Sequence, residues 1–362
     1  MGYEIDFLPV GNASSSGDAI AIRYGDLFGE RGDQTVVIID GGYTDDGEVL
    51  VEHVKTHYKT DHIDFVICTH PDRDHIKGLE VVLKELSVGA LLIHVPDNHS
   101  DDVKASRGMV NKEAALGERL AKSLNDTDSL LDVAREQDVR IVEPFAGMAT
   151  EDGSLKIIGP TESYYEEQLR KMKGQSLPEK VAAAARSLVF KAQELAFKLV
   201  RESIQDENLT EERDESPSNN SSVITLLTVD GHQLLFTGDA GPEAVHKAVD
   251  LVEAEGFTPG SLRMIQVPHH GSRHNSTPSM LNRLLGEKGQ QEVGLAYVSC
   301  APENPELKRP AKVVLNAFHR RGYPVHQTAG VSKRYKKDAP ARDGWSSSPP
   351  LPFYEYVELH DE

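Results

Sequence analysis

Hydrophobic and polar positions along this chain follow two periods. The segments "EIDFLPV", "DAIAIRY" and "TVVIIDGG" alternate or run apolar at strand length, bounded by Gly, Ser and Asp. "EVLVEHVKTHY" then takes helical spacing, and "IDFVICTH" is an apolar run that ends at a polar cluster. In "HIKGLEVVLKELSV", Ile76, Leu79, Val82, Leu83 and Leu86 fall on one helical face, and "ALLIHVP" returns to strand. Strand, loaded loop, helix, strand is the order by which layered α/β folds present reactive side chains at strand ends.

Residues 99–138 read as mostly helical and charged, and "GSLKIIGP" as a strand. Residues 161–213 form a second helical stretch, strongest in the Ala-rich "EKVAAAARSLVFKAQELAFKLVRESI". It ends in the acidic run "DENLTEERDESPSNN", which reads as a solvated linker. Strands resume at "SSVITLLTV" and "HQLLFTGDA". A helix follows, then "LRMIQVPHHGS", "VGLAYVSCAP", another helix and "YPVHQTA". The tail "WSSSPPLPFYEYVEL" predicts a last strand, and no internal repeat interrupts the pattern. The simplest organisation is a single domain over 1–362 with helical insertions at about 99–138 and 161–213.

Composition narrows the class. Of the 362 residues 38% are hydrophobic, enough for a core, and the formal charge of −19 argues against a protein that coats nucleic acid generally. Within this acidic chain, residues 308–342 concentrate Lys308, Arg309, Lys312, Arg320, Arg321, Lys333, Arg334, Lys336, Lys337 and Arg342 against Asp338 alone. Two readings stand: a solvated basic segment balancing acidic neighbours, or a rim that contacts phosphate. Cys68 and Cys300 lie in apolar runs and read as buried, reduced thiols. The start "MGYEIDFLPVG" lacks a signal-peptide pattern, and the sequence has no apolar stretch of membrane-spanning length, so a cytoplasmic protein without membrane contact is expected.

The chemistry begins at "THPDRDH". His70, Asp72, Asp74 and His75 crowd one loop between a strand and a helix, a density that an exposed polar turn does not need. Asp239 follows another strand in "LLFTGDA", and His269 and His270 end a third in "MIQVPHHGS". Aspartate and histidine at the ends of separate strands are what a metal site on a sheet edge requires. Asp40, in "IDGG", is placed to support a ligand by hydrogen bonding. His94, His99 and His326 have no such context and read as structural.

These motifs resemble a known pattern. "HPDRDH" is similar to the H-x-H-x-D-H signature of the metallo-β-lactamase fold, with Asp72 in place of the second histidine. Together with "IDGG", "NNSSV", "FTGDA", "VPHHGS" and the "GNASSSGDAIAIRYG" opening, it resembles the branch that includes the hydrolase domain of the ComEC DNA-uptake channel proteins and their stand-alone relatives. The resemblance covers residues 3–96, 154–160 and 219–329, and the helical segments depart from it. It implies an α/β fold, the αββα sandwich, and two divalent metal ions. His70 and Asp72 would hold one ion and Asp74 and His75 the other. Asp239 would bridge them, and either His269 or His270, with a lean to His269, would complete the second.

In the place of a further histidine stand Asn219, Asn220 and Ser222, weak neutral ligands, so the first site looks oxygen-rich and favours Mn²⁺, with Zn²⁺ next. Two such ions share and activate a hydroxide, which Asp74 would orient. Ser272, His274, Arg309 and Lys312 are the substrate-binding candidates, Arg309 standing where the branch usually has histidine. The expected substrate is a phosphodiester, in DNA, RNA or a nucleotide. The alternatives are an esterase or lactonase, and a metal-bound module of weak catalysis that meets a protein partner or a second copy through the 161–213 helices.

Overall fold

Alternation along the first strands decides which sheet face is dry. The computed structural model describes residues 1–11, 15–105, 118–174, 199–211, 215–289, 291–302 and 309–358. In β1 (Gly2–Phe7), β2 (Ala19–Gly25) and β3 (Gln34–Gly41), residues such as Ile5, Phe7, Ile20, Ile22, Val37 and Ile39 share one core, whereas Ala21, Val36 and Ile38 share another.

A seven-stranded sheet runs β14-β1-β2-β3-β4-β5-β6, adding β4 (His62–Ile67), β5 (Ser87–Leu92), β6 (Arg140–Val142) and, from far along the chain, β14 (Lys333–Lys337). A six-stranded sheet runs β13-β12-β11-β10-β9-β7. Its members are β7 (Leu155–Gly159), β9 (Ile224–Val229), β10 (His232–Phe236), β11 (Leu262–Gln266), β12 (Leu295–Val298) and β13 (Val325–Gln327). The sheets face each other across Phe7, Ile22, Leu227, Phe236 and Met264. The helices Thr44–His53, Arg73–Glu85 and Glu118–Glu136 cover the outside of the first sheet, and Pro242–Glu253, Pro278–Leu285 and Lys312–Arg320 that of the second. The layers are therefore αββα.

Between β3 and β6 the first sheet is parallel, and between β10 and β13 the second is too. Their carboxyl ends deliver the motif loops to one rim, where open α/β sheets place ligands.

The insertions are only partly as the sequence suggests. Asp101–Ala105, Glu118–Glu136 and Glu162–Gly174 are helical. Most of the Ala-rich stretch, residues 175–198, and residues 106–117 lie outside the described residues. The helical expectation fails at its end. Leu199–Arg201 is strand β8, paired antiparallel with the expected last strand β15 (Tyr356–Glu358). Glu202, next in line, is held by the Arg320 guanidinium at 3.1 Å and the Asn316 amide at 2.6 Å, which pins the segment extended.

On the outer side of β1, Glu4 and Asp6 are fully buried. Arg23 and Arg334 pair with Glu4, while Arg342 donates to Asp6 at 2.7 and 2.9 Å. Tyr58 donates to Asp6 at 2.8 Å, and Arg342 packs over the rings of Tyr58 and Trp345. Among the described residues no helix is long and apolar enough to cross a membrane.

Candidate metal centre

Each motif side chain is fixed by the element that carries it. Asp72 precedes the Arg73–Glu85 helix, with Asp74 and His75 in its first turn, where the helix end favours negative charge. Asp239 follows β10 after Gly238, whose φ of 50° a side chain would strain and whose missing Cβ would meet Thr69 at 3.0 Å. His269 and His270 leave β11 with φ of 48° and 54°. Two consecutive left-handed residues are costly, and here they splay neighbouring imidazoles toward different partners.

Asp239 is the centre of the arrangement. Its Oδ2 lies 3.9 Å from His70 Nε2 and 3.4 Å from His269 Nε2, and His70 Nε2 is 4.0 Å from Asp72 Oδ2. Its Oδ1 lies 3.5 Å from His75 Nε2 and 3.9 Å from His270 Nε2. Those two nitrogens are 3.8 and 3.6 Å from Asp74 Oδ2. Such spacings exceed ordinary hydrogen bonds. They match atoms that share one ion, since ligands bound at about 2.1 Å sit roughly 3–4 Å from each other.

The far side of each ring fixes its tautomer. His270 Nδ1 donates to the Ser299 carbonyl at 3.1 Å, and a carbonyl only accepts. His75 Nδ1 donates to Asp40 at 2.7 Å, and His269 Nδ1 to the Asn275 side-chain oxygen at 2.7 Å. Thr69 gives its hydroxyl proton to Asp40 at 2.6 Å and so accepts from His70 Nδ1 at 3.1 Å. A neutral ring held this way turns its Nε2 lone pair inward.

The buried Nε2 atoms of His70, His75 and His270, and Oδ1 of Asp239, have no hydrogen-bond partner among the described residues. Burial alone would raise the Asp239 carboxyl, but the charges of His269, His75 and His270 hold it well below its usual range. Burial likewise opposes ionisation of Asp74, yet His75 and His270 bring it down to about 2. Burial disfavours a proton on His75, but Asp239, Asp40 and Asp74 outweigh it and raise that ring well above ordinary imidazole. The site attracts positive charge, and the donor set of imidazole nitrogens and carboxylate oxygens fits divalent metal ions.

Asp40 accepts from the Thr69 amide at 2.8 Å and from His75 Nδ1 at 2.7 Å. His270 faces Asp74, whereas His269, to which the sequence leans for the second centre, faces the Asp239 oxygen near His70. The left-handed pair of φ values, invisible in the sequence, sends the first histidine to the first group. Asn219 sits beside His269 Nδ1 at 3.1 Å, on the side of the ring away from Asp239. Asn220 and Ser222 are buried in the same turn. Ser272 is buried and accepts from the His274 amide, so it caps a turn. Half-buried Arg309 is close enough for its charge to oppose a proton on His269. Lys312 lies over the Tyr354 ring at 5.6 Å.

Most of the expected phosphate rim is otherwise engaged: Arg320 by Glu202, Arg321 by Glu207, Arg334 by Glu4, Lys337 by Asp230 and Arg342 by Asp6. Lys308 lies outside the described residues. Residues the motifs did not single out also enter. Glu215 contacts His269 Nδ1 at 3.3 Å and accepts from Asn219 at 2.9 Å, and Asn275 ties His269 to the Asp239 carbonyl. Ser218 donates to Asp72 at 2.9 Å. Asp18 is buried beside His75 and His270, and its sequence signal was the "GDA" that "FTGDA" repeats.

Residues 27–158 match the model of the metallo-beta-lactamase superfamily. No curated protein matches the chain. Among solved structures, a metallo-beta-lactamase-like protein from Thermotoga maritima is 12% identical over 71% of this chain and 93% of its own, with a TM-score of 0.36. A diphosphatase of the PhnP family is 12% identical over 93% and 98%, with a TM-score of 0.37. The long form of RNase Z from yeast is 11% identical over 92% of this chain but 41% of its own, with a TM-score of 0.38. Likenesses this distant carry no activity across. Residues 27–158 thus match the metallo-beta-lactamase superfamily, and the four-layer architecture built around them is the metallo-β-lactamase fold.

Proposed function

We propose that this chain is a two-metal hydrolase of phosphodiesters, acting on nucleic acid or a nucleotide. The observation that carries the reading is the convergence of the Nε2 atoms of His70, His269, His75 and His270 on the two oxygens of Asp239. His70, Asp72, His269 and Asp239 would hold one ion, and Asp74, His75, His270 and Asp239 the other. With His269 in the first set, both sets mix imidazole and carboxylate. The oxygen-rich argument for manganese therefore weakens, and Mn²⁺ and Zn²⁺ both suit.

Bound there, such ions supply Lewis acidity and a water acidic enough to attack at neutral pH. The chain's own residues do the rest. Asp40, Thr69, Asn275 and the Ser299 carbonyl keep the rings in one tautomer. Asp74, kept ionised by His75 and His270, would hold an ion and orient the attacking water. Arg309, whose charge is felt at His269, would be the cation to meet a phosphate, a reading that supports a phosphodiester over an uncharged ester. The resemblance to the ComEC hydrolase branch supports the same substrate class.

The test is turnover of an activated phosphodiester with Mn²⁺, Zn²⁺ or chelator, comparing the natural chain with Asp239→Ala. Metal-dependent hydrolysis that the substitution abolishes is expected. Turnover that survives it, or none with any metal while a lactone or carboxylic ester is cleaved, would overturn the reading.

A further inference from the structure

β5 and β6 are parallel neighbours, so the turn Pro96–Asn98 beyond one and Glu143 beyond the other leave the same end of the sheet. Glu143 ties the two segments together. It accepts from the Val95 amide and the Asn98 side chain, both at 2.8 Å, and from His99 Nε2 at 2.9 Å. The His99 side chain is 5% exposed, and its ring packs edge-on against Phe145 and Tyr165, with centroids 5.2 and 5.5 Å away. The ring is thus held in one orientation, with Nδ1 turned away from Glu143.

The helix Glu162–Gly174 supplies what faces that nitrogen. Glu162, Tyr165, Glu166 and Leu169 fall on one side of it, and Tyr165 and Leu169 are buried with Val103, Leu120 and Leu124. So anchored, the helix sets Glu162 Oε1 at 3.4 Å and Glu166 Oε1 at 3.8 Å from His99 Nδ1. A proton on Nδ1 would draw a carboxylate to about 2.7–2.9 Å, and neither comes that close. With Nε2 donating to Glu143, a neutral ring turns its Nδ1 lone pair toward two carboxylates, a repulsion that a shared cation relieves. One donor atom from each of His99, Glu162 and Glu166 lies within 4.8 Å of the others, the spacing of atoms around one ion. Glu143 stands behind His99 as Asp40 stands behind His75.

We propose that His99, Glu162 and Glu166 form a further metal site, which shares no residue with the Asp239 centre and does not rest on the two-metal reading. One imidazole nitrogen and two carboxylate oxygens suit a divalent ion of the zinc class, with water in the remaining position. The ion clamps the insertion helix to the segment that follows β5. Glu162 is 63% exposed, so this ion is less enclosed than one at the Asp239 centre and binds in a separate, weaker step.

The experiment is calorimetric titration of the full chain, stripped of metal, with Zn²⁺. It compares the natural chain with the double variant Glu162→Gln/Glu166→Gln and with Asp239→Asn. The natural chain should take up one ion more than the double variant, whose other binding steps keep their natural affinity. Asp239→Asn should retain that ion. Glu162→Gln alone should weaken it about tenfold or more, and this exposed substitution decides the matter if the double variant misfolds. Zn²⁺ should also raise the melting temperature of the natural chain further than that of the double variant. Equal ion counts and affinities in the natural chain and the variants of Glu162 and Glu166 overturn the proposal. So does a double variant that melts well below the natural chain when stripped and loses its other ions too, since the glutamates would then serve the fold. If the extra ion vanishes in Asp239→Asn, it belongs to the Asp239 centre and the proposal falls.

Discussion

Asp239 divides its two oxygens between two groups of side chains, so substitutions around it should separate by group. His269→Ala and His270→Ala are neighbours in sequence, yet each should weaken a different ion. Calorimetry should find one tight and one weakened equivalent in each variant, and identical profiles would contradict the division. Asp40 touches no proposed ion but fixes His75. Asp40→Asn should lower metal affinity about 10–100-fold while the chain stays folded.

At this scale the sequence was legible where the side chains that converge crowd one loop, as in "THPDRDH", or close an apolar strand, as at Asp239. It was silent on Glu215, which sits in an acidic run that reads as linker until the fold brings it 3.3 Å from His269. It also left open which way His269 and His270 face, because backbone φ sets that and residue type does not record it.

Among elements, apolar alternation identified the strands that carry the site, since one face of each had to be dry. What it missed depends on distant partners. "LVR" continues a helical period, but the fold draws it into β8, where β15 pairs with it and the buried Glu202–Arg320 ion pair anchors the following residue. Both side chains of that pair are fully buried, so Arg320→Ala should cost about 3–5 kcal/mol by urea denaturation. Turnover per folded molecule should not change, because Arg320 contacts none of the proposed ligands. The basic run 308–342 reads differently for the same reason. Four of its arginines, Arg320, Arg321, Arg334 and Arg342, answer buried carboxylates, which composition cannot reveal. Neutralising Arg309 should raise KM for a phosphodiester and flatten its salt dependence, whereas Arg321→Gln should alter stability and leave KM alone.

For the molecule as a whole, acid stability should report on Asp6. Burial raises its carboxyl, but the hydrogen bond and charge of His53, with Arg342 beside it, bring it below its ordinary 3.8. A depressed carboxyl adds stability that is present above its unfolded pKa and lost as pH falls through its folded one. The urea midpoint of the natural chain should therefore drop as pH falls below about 4. In Asp6→Asn the midpoint should be lower at pH 7 and change less on acidification. An equal acid slope in the two chains would show that Asp6 does not set it.

The pairing of β14 with β1 has a bearing on how the chain is made. Glu4 and Asp6 are synthesised more than three hundred residues before Arg334 and Arg342, which pair with them across the sheet edge. At about 5–20 residues per second, the first strand waits on the order of tens of seconds for its edge partner. Throughout that interval it is an open strand edge whose carboxylates have only their early partners, Arg23 for Glu4 and His53 and Tyr58 for Asp6. Those charges, costly in the finished interior, discourage the nascent edge from pairing with other chains.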